Sequence, residues 1–135
     1  MTEGDAPALE TPVFSVTVSD AGNGRAVVTA SGELDIATAP QLVEAVAPLG
    51  PPATTGIAID LSALTFIDSS GINALRTAVR AAGSRGVGGI VASPNERVLR
   101  VLELVRFEEI IPLESSLETA FARLGTDRLD GSTRG

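Results

Sequence analysis

Residues Ile57 to Ile72 read Ile-Ala-Ile-Asp-Leu-Ser-Ala-Leu-Thr-Phe-Ile-Asp-Ser-Ser-Gly-Ile. Ile57-Ala58-Ile59 is a short continuous apolar run, the pattern of a strand covered on both faces. A short loop then brings Phe66-Ile67, and Asp68-Ser69-Ser70-Gly71 stands where a helix begins. That helix has an apolar stripe of Ile72, Leu75, Val79 and Ala82 and an exposed face of Asn73, Arg76, Thr77 and Arg80.

Upstream, Phe14, Val16 and Val18 alternate with Ser15 and Thr17 at the period of a half-buried strand. Asn23-Gly24 supplies positive-φ turn chemistry before a second strand, Arg25 to Ser31, so the pair reads as a hairpin. After Gly32-Glu33-Leu34-Asp35 the period becomes helical, with Ala39, Leu42, Val43 and Val46 on one stripe. Thr38 and Gln41 predict a capping box, with Asp35 the alternative cap, and Pro48 and Gly50-Pro51-Pro52 end the helix.

Downstream, Val87 to Ala92 returns as a strand. Ser93 is the expected cap of the next helix, with Pro94 in its first position, Glu96 completing the box, and Val98, Val101, Leu102 and Val105 inward. Ile110-Ile111 is the expected edge strand, and Ser115 with Glu118 opens a last helix with Leu117, Ala120, Phe121 and Leu124 inward. A leading hairpin followed by alternating strands and helices predicts one α/β domain, residues 13–125, with a mixed sheet of about five strands and about four helices. Polar, aperiodic residues 1–12 and 126–135 read as mobile tails.

The composition excludes more than it suggests. A chain of 135 residues, 44% hydrophobic, can bury a sizeable core. Ten basic against 17 acidic residues give a net charge of −7, which repels phosphate backbones. With 3% aromatics, all Phe, stacking platforms are also scarce, so no direct nucleic-acid binding is expected. There is no His, no Cys and no Lys; every basic residue is Arg. Thiol and lysine nucleophiles, Ser–His triads, disulfides and imidazole or thiolate metal sites all need residues this chain lacks. No metal, no cofactor and no enzyme activity are therefore expected. Residues 1–12 lack the order of a signal peptide, and no apolar run approaches the roughly 20 residues of a membrane span, so the chain reads as cytoplasmic without membrane insertion.

Two stretches remain as candidate sites. Ser69 and Ser70 fall among the unpaired amides of a helix N-terminus, at the positive end of its dipole, where a phosphate would be tolerated. Taken alone, Asp68-Ser69-Ser70-Gly71 more often means that Asp68 or Ser69 caps the helix and Gly71 eases a tight turn. A serine hydrolase fails for want of a base stronger than Asp68. Glu33 and Asp35 likewise read as capping and solvation, and two carboxylates make a poor cation site. Arg76, Arg80, Arg97 and Arg100 read as solvated faces.

Gly32-Glu33-Leu34-Asp35 after the second strand, followed by Asp60-Leu61-Ser62 and Phe66-Ile67-Asp68-Ser69-Ser70-Gly71, resembles the STAS family. Within it, the likeness is to the bacterial anti-sigma factor antagonists, over roughly Phe14 to Leu124. The resemblance implies a partner switch. The unphosphorylated antagonist binds an anti-sigma factor with serine kinase activity and frees a sigma factor; phosphorylation weakens the complex, and a phosphatase resets it. Ser70, the serine before the glycine, matches the family's acceptor, and Ser69 its neighbour. Asp35 and Asp68 match flanking acidic positions. The implied partner surface comprises Glu33, Asp35, Asp68, Ser69, Ser70, Gly71, Asn73 and Arg76. A STAS accessory subunit of a transporter or of a stress-sensing assembly is the alternative, and a weak nucleotide-binding or hydrolytic protein ranks last. The chain departs from many relatives in carrying Asn73 where they have Gly, Arg106 near the end of a helix, and Gly88-Gly89 in a strand. Arg106 predicts a helix ending without the usual positive-φ residue.

Overall fold

A computed structural model describes residues 13–124; the two stretches read as tails lie outside the described residues. The hairpin is β1 (Phe14–Gly22) and β2 (Arg25–Leu34). Asn23 and Gly24 take φ of 58° and 76°, both left-handed, as a two-residue turn between right-twisted strands requires. There follow α1 (Ala39–Val46), β3 (Gly56–Ile67), α2 (Ser69–Ser84), β4 (Gly88–Ala92), α3 (Glu96–Leu104), a 3-10 turn (Phe107–Glu109) and β5 (Leu113–Glu114). Residues 117–124 form the described part of α4. The sheet runs β1-β2-β3-β4-β5, antiparallel at β1 and parallel thereafter.

Strands β2 to β5 advance in one direction across the sheet, so right-handed crossovers put α1, α2 and α3 on the same face. The main core lies there: Val28, Ala30, Ile57, Ile59 and Val91 of the strands meet Leu42, Val46, Leu75, Ala78, Val98 and Leu102 of the helices. On the reverse face Ala58, Ile90 and Ala92 pack with Ala120 and Leu124 of α4. The alternation of Ile57, Ala58 and Ile59 between these clusters is the two-face burial that the apolar run predicts.

Several local expectations are corrected. No loop separates Ile59 from Phe66, because β3 is continuous. Leu61, Leu64 and Ile67 recur every third residue, which no regular strand could bury on one face. Two register shifts against β2 each insert an extra β3 residue, and all three side chains reach the core. Ser93 does not cap α3. It takes φ of 59° and its amide donates to the Glu114 carbonyl of β5, while Asn95 Oδ1 accepts the Val98 amide at 3.0 Å. Asn95 Nδ2 also donates to the Leu64 carbonyl, tying α3 to β3. Val105 lies past the last helical residue and is 44% exposed. Arg106 does adopt the left-handed conformation, at φ 55°. The edge strand is Leu113–Glu114, not Ile110-Ile111, since the 3-10 turn draws Ile111 back onto Phe107. The cap of α4 is Ser116, whose Oγ accepts the Thr119 amide, not Ser115.

A long-range clamp joins α1 to α2. Arg85, at the end of α2, donates through Nε and Nη2 to the Leu49 carbonyl, through Nη2 to that of Val46, and through Nη1 to that of Ala81. The final carbonyls of a helix lack internal donors, and a cation sits well at that end of the dipole. Among the described residues no helix is long and apolar enough to cross a membrane.

Candidate functional site

The site forms where β2 and β3 end side by side. Asp68 leaves β3 in an extended conformation, and its amide donates to the Leu34 carbonyl. Its Oδ1 accepts the Gly71 amide at 3.0 Å, so Asp68 is the cap of α2. Ser69 and Ser70 are therefore the first two helical residues, whose amides have no intrahelical acceptor. Ser69 is exposed and Ser70 half-buried.

Gly71 is helical and serves no turn, contrary to the expectation from sequence. A Cβ on it would lie 2.5 Å from the Leu34 carbonyl oxygen and 2.8 Å from Ile67 Cγ1. Its missing side chain lets α2 begin directly against the end of β2. That contact fixes the backbone at the start of α2, and with it the place of Ser70 in the groove wall.

The opposing wall is the turn after β2. Thr38 Oγ1 donates to the Glu33 carbonyl at 2.8 Å and accepts the Asp35 amide at 2.9 Å. Asp35 Oδ1 accepts the amides of Ala37 and Thr38. The Thr38–Gln41 capping box is thus replaced: the threonine hydroxyl turns back to staple the loop, and Asp35 holds the amides that follow it. Ile36, between these anchored residues, projects 77% exposed.

Between the two walls runs an open groove of about 350 Å³, lined by Ile36, Ala39, Pro40 and Val43 on one side and Ser70, Asn73, Ala74 and Thr77 on the other. Of the eight residues expected at a partner surface, Ser70 and Asn73 line it. Asp35 and Asp68 each anchor the start of one wall through backbone amides. Gly71 packs beneath, and exposed Ser69 lies outside the groove. Glu33 is exposed next to buried Leu34, hence on the opposite sheet face. Arg76 is not a freely solvated residue: it is half-buried, lies outside the groove lining, and its Nε is buried without a hydrogen-bond partner among the described residues.

Sequence reasoning missed the apolar wall. Its one available signal was Ile36, an isoleucine set off the stripe of Ala39, Leu42, Val43 and Val46. Neither Ser69 nor Ser70 has a base hydrogen-bonded to its hydroxyl among the described residues, and no cluster there could hold a metal ion.

This arrangement, a strand entering a capped helix beside a stapled acidic turn in a five-stranded mixed sheet, coincides with a family model. The STAS domain model matches residues 17–120, and the chain belongs to the STAS domain family. Its relatives include the anti-sigma-F factor antagonist RsfB of Mycobacterium tuberculosis, 33% identical over 117 residues, spanning 87% of this chain and 94% of that one. Among solved structures, an anti-sigma factor antagonist from Mycobacterium paratuberculosis superposes with a TM-score of 0.72 at 29% identity, covering 85% of this chain and 97% of the other. SpoIIAA in its unphosphorylated form, also an anti-sigma factor antagonist, superposes at 0.67 with 20% identity, covering 83% and 97%; at that identity the likeness is one of fold.

Proposed function

We propose that this chain is an anti-sigma factor antagonist that acts as a phosphorylation-controlled partner switch, with Ser70 as the phosphoacceptor. The observation that carries the reading is the position of Ser70: half-buried at the start of α2, in the wall of a groove, beside unpaired helix amides. The kinship with RsfB, an anti-sigma-F factor antagonist 33% identical over most of both chains, supports it. In the unphosphorylated form the groove and the first turn of α2 engage an anti-sigma factor with serine kinase activity, which releases its sigma factor. The kinase transfers the γ-phosphoryl of ATP to Ser70 Oγ; ADP departs and the hydroxyl proton passes to solvent. A phosphatase later uses water to return the serine and inorganic phosphate.

A phosphate brings about two negative charges and three acceptor oxygens. The helix amides receive it without refolding, while in the complex it is bulky and desolvated. A loss of about 2–4 kcal/mol corresponds to roughly 30- to 1000-fold weaker binding.

The test is affinity capture from native lysate with wild type, Ser70→Ala and Ser70→Asp as baits. The reading stands if Ser70→Ala retains a kinase-like anti-sigma factor that Ser70→Asp releases. Recovery of one transporter component by all three baits would instead support the accessory-subunit alternative.

A further inference from the structure

The groove differs chemically from the chain around it. The protein carries a net charge of −7, yet none of the eight lining residues is charged. Ile36, Ala39, Pro40, Val43 and Ala74 offer hydrocarbon, and only Ser70, Asn73 and Thr77 carry polar groups. Ile36 is held at the lip, 77% exposed, by a loop that Asp35 and Thr38 pin through four hydrogen bonds to and from the backbone. An anchored, exposed isoleucine beside an apolar trough is arranged for burial by something else.

We propose that this groove is a socket for one uncharged, apolar side chain of the partner that reads Ser70, and that a phosphate on Ser70 acts by occupying the socket. The proposal deepens, and rests on, the antagonist reading. The occupant follows from the charge of the lining. A charged anchor would be desolvated there with no counter-ion, whereas an aliphatic or aromatic anchor gains by burial. At about 350 Å³ the groove is at the small end for a metabolite site and has few convergent polar groups, which favours an anchor side chain. Ser70 lines this volume and Ser69 does not, so the two serines differ in what a phosphate on each would obstruct.

Occlusion and charge repulsion give opposite results with neutral and cationic substitutions. The anti-sigma factor retained by Ser70→Ala is purified, and its affinity for the full chain is measured by calorimetry at low salt and at about 1 M salt, where screening reaches about 3 Å. Occlusion requires that Ser70→Gln, neutral but larger than serine, weaken binding by about tenfold or more. Thr77→Arg, which puts a cation into the groove from an exposed helix position, weakens it similarly. These losses persist at high salt. Circular dichroism confirms that each variant is folded.

Wild-type affinity for Ser70→Gln, tighter binding by Thr77→Arg, or salt rescue of Ser70→Asp overturns the socket and leaves the antagonist reading intact. A small aliphatic ligand in the groove by native mass spectrometry, or a dimer lost on Ile36→Ala, overturns it in favour of that occupant. If no bait retains an anti-sigma factor, the antagonist reading fails and the socket with it.

Discussion

Two glycines of α2 respond to the same substitution with opposite signs. Alanine is favoured over glycine inside a helix by about 1 kcal/mol, so helix propensity alone predicts that both Gly71→Ala and Gly83→Ala stabilise. At Gly83 a Cβ meets nothing within 4 Å, and the full benefit of about 0.5–1 kcal/mol is expected. At Gly71 the new methyl would sit 2.5 Å from the Leu34 carbonyl oxygen and 2.9 Å from Leu34 Cγ. That carbonyl is backbone and already accepts the Asp68 amide, so it cannot rotate away as a side chain would. Overpacking costs about 1–3 kcal/mol, and a 2.5 Å approach to a backbone oxygen belongs in the upper part of that range, so a net loss of about 1–2 kcal/mol remains after the propensity gain. Urea unfolding followed by far-UV circular dichroism reads both effects. With a slope of about 1–3 kcal/mol per molar, the two midpoints should fall on opposite sides of wild type and differ by roughly 1 M. A Gly71→Ala midpoint at or above that of wild type would refute the reasoning. The start of α2 would then have slack, and Ser70 would not be fixed against β2.

Other substitutions test the remaining contacts. Arg85→Ala strips the donors from the Leu49, Val46 and Ala81 carbonyls and should cost about 2–3 kcal/mol in thermal melts, with Arg85→Lys recovering only part, because one ammonium cannot reproduce the guanidinium fork. Asp68→Ala should cost about 1 kcal/mol, while Asp68→Asn, which keeps an acceptor for the Gly71 amide, should cost a few tenths in urea midpoints. Arg106→Gly should stabilise by about 0.5–1 kcal/mol, since it relieves a left-handed φ of 55° and gives up only an exposed 3.7 Å ion pair with Glu109. In NMR spectra, phosphorylated and unphosphorylated forms should share backbone shifts away from the first turns of α2; changes spread through β4 or α4 would contradict a local switch.

The alternation of strand and helix was legible because it rests on periodicity. Ile57 to Ile59, the Ile72 stripe and Asn23-Gly24 each specify an element through local physics. The errors fall where a tertiary partner decides. Leu61 and Leu64 look like loop residues until two bulges against β2 carry the strand through to Ile67. Ser93 has the composition of a cap, but β5 claims its amide and Asn95 takes the role. Ile110-Ile111 is as apolar as any edge strand, yet buried Phe107 folds it into a turn. At the site, the serines and their cap could be named from the motif. The wall opposite them could not, because Ile36, Pro40 and Val43 become neighbours of Ser70 only through a helix–helix contact that leaves no local signature.

The clamp at Arg85 gives that helix pair a property of its own. The start of α2 is set against β2 by a glycine pressed on a carbonyl, and its far end is held to α1 by a guanidinium drawn onto the end of that helix, as the jaws of a gauge are set by a screw some way from the gap. The width of the groove is therefore adjustable from a residue outside its lining. Two chains with identical groove linings but different residues at position 85 would present gaps of different width, so in a cell holding several such proteins a recognition code limited to contact residues would miss one of its own letters.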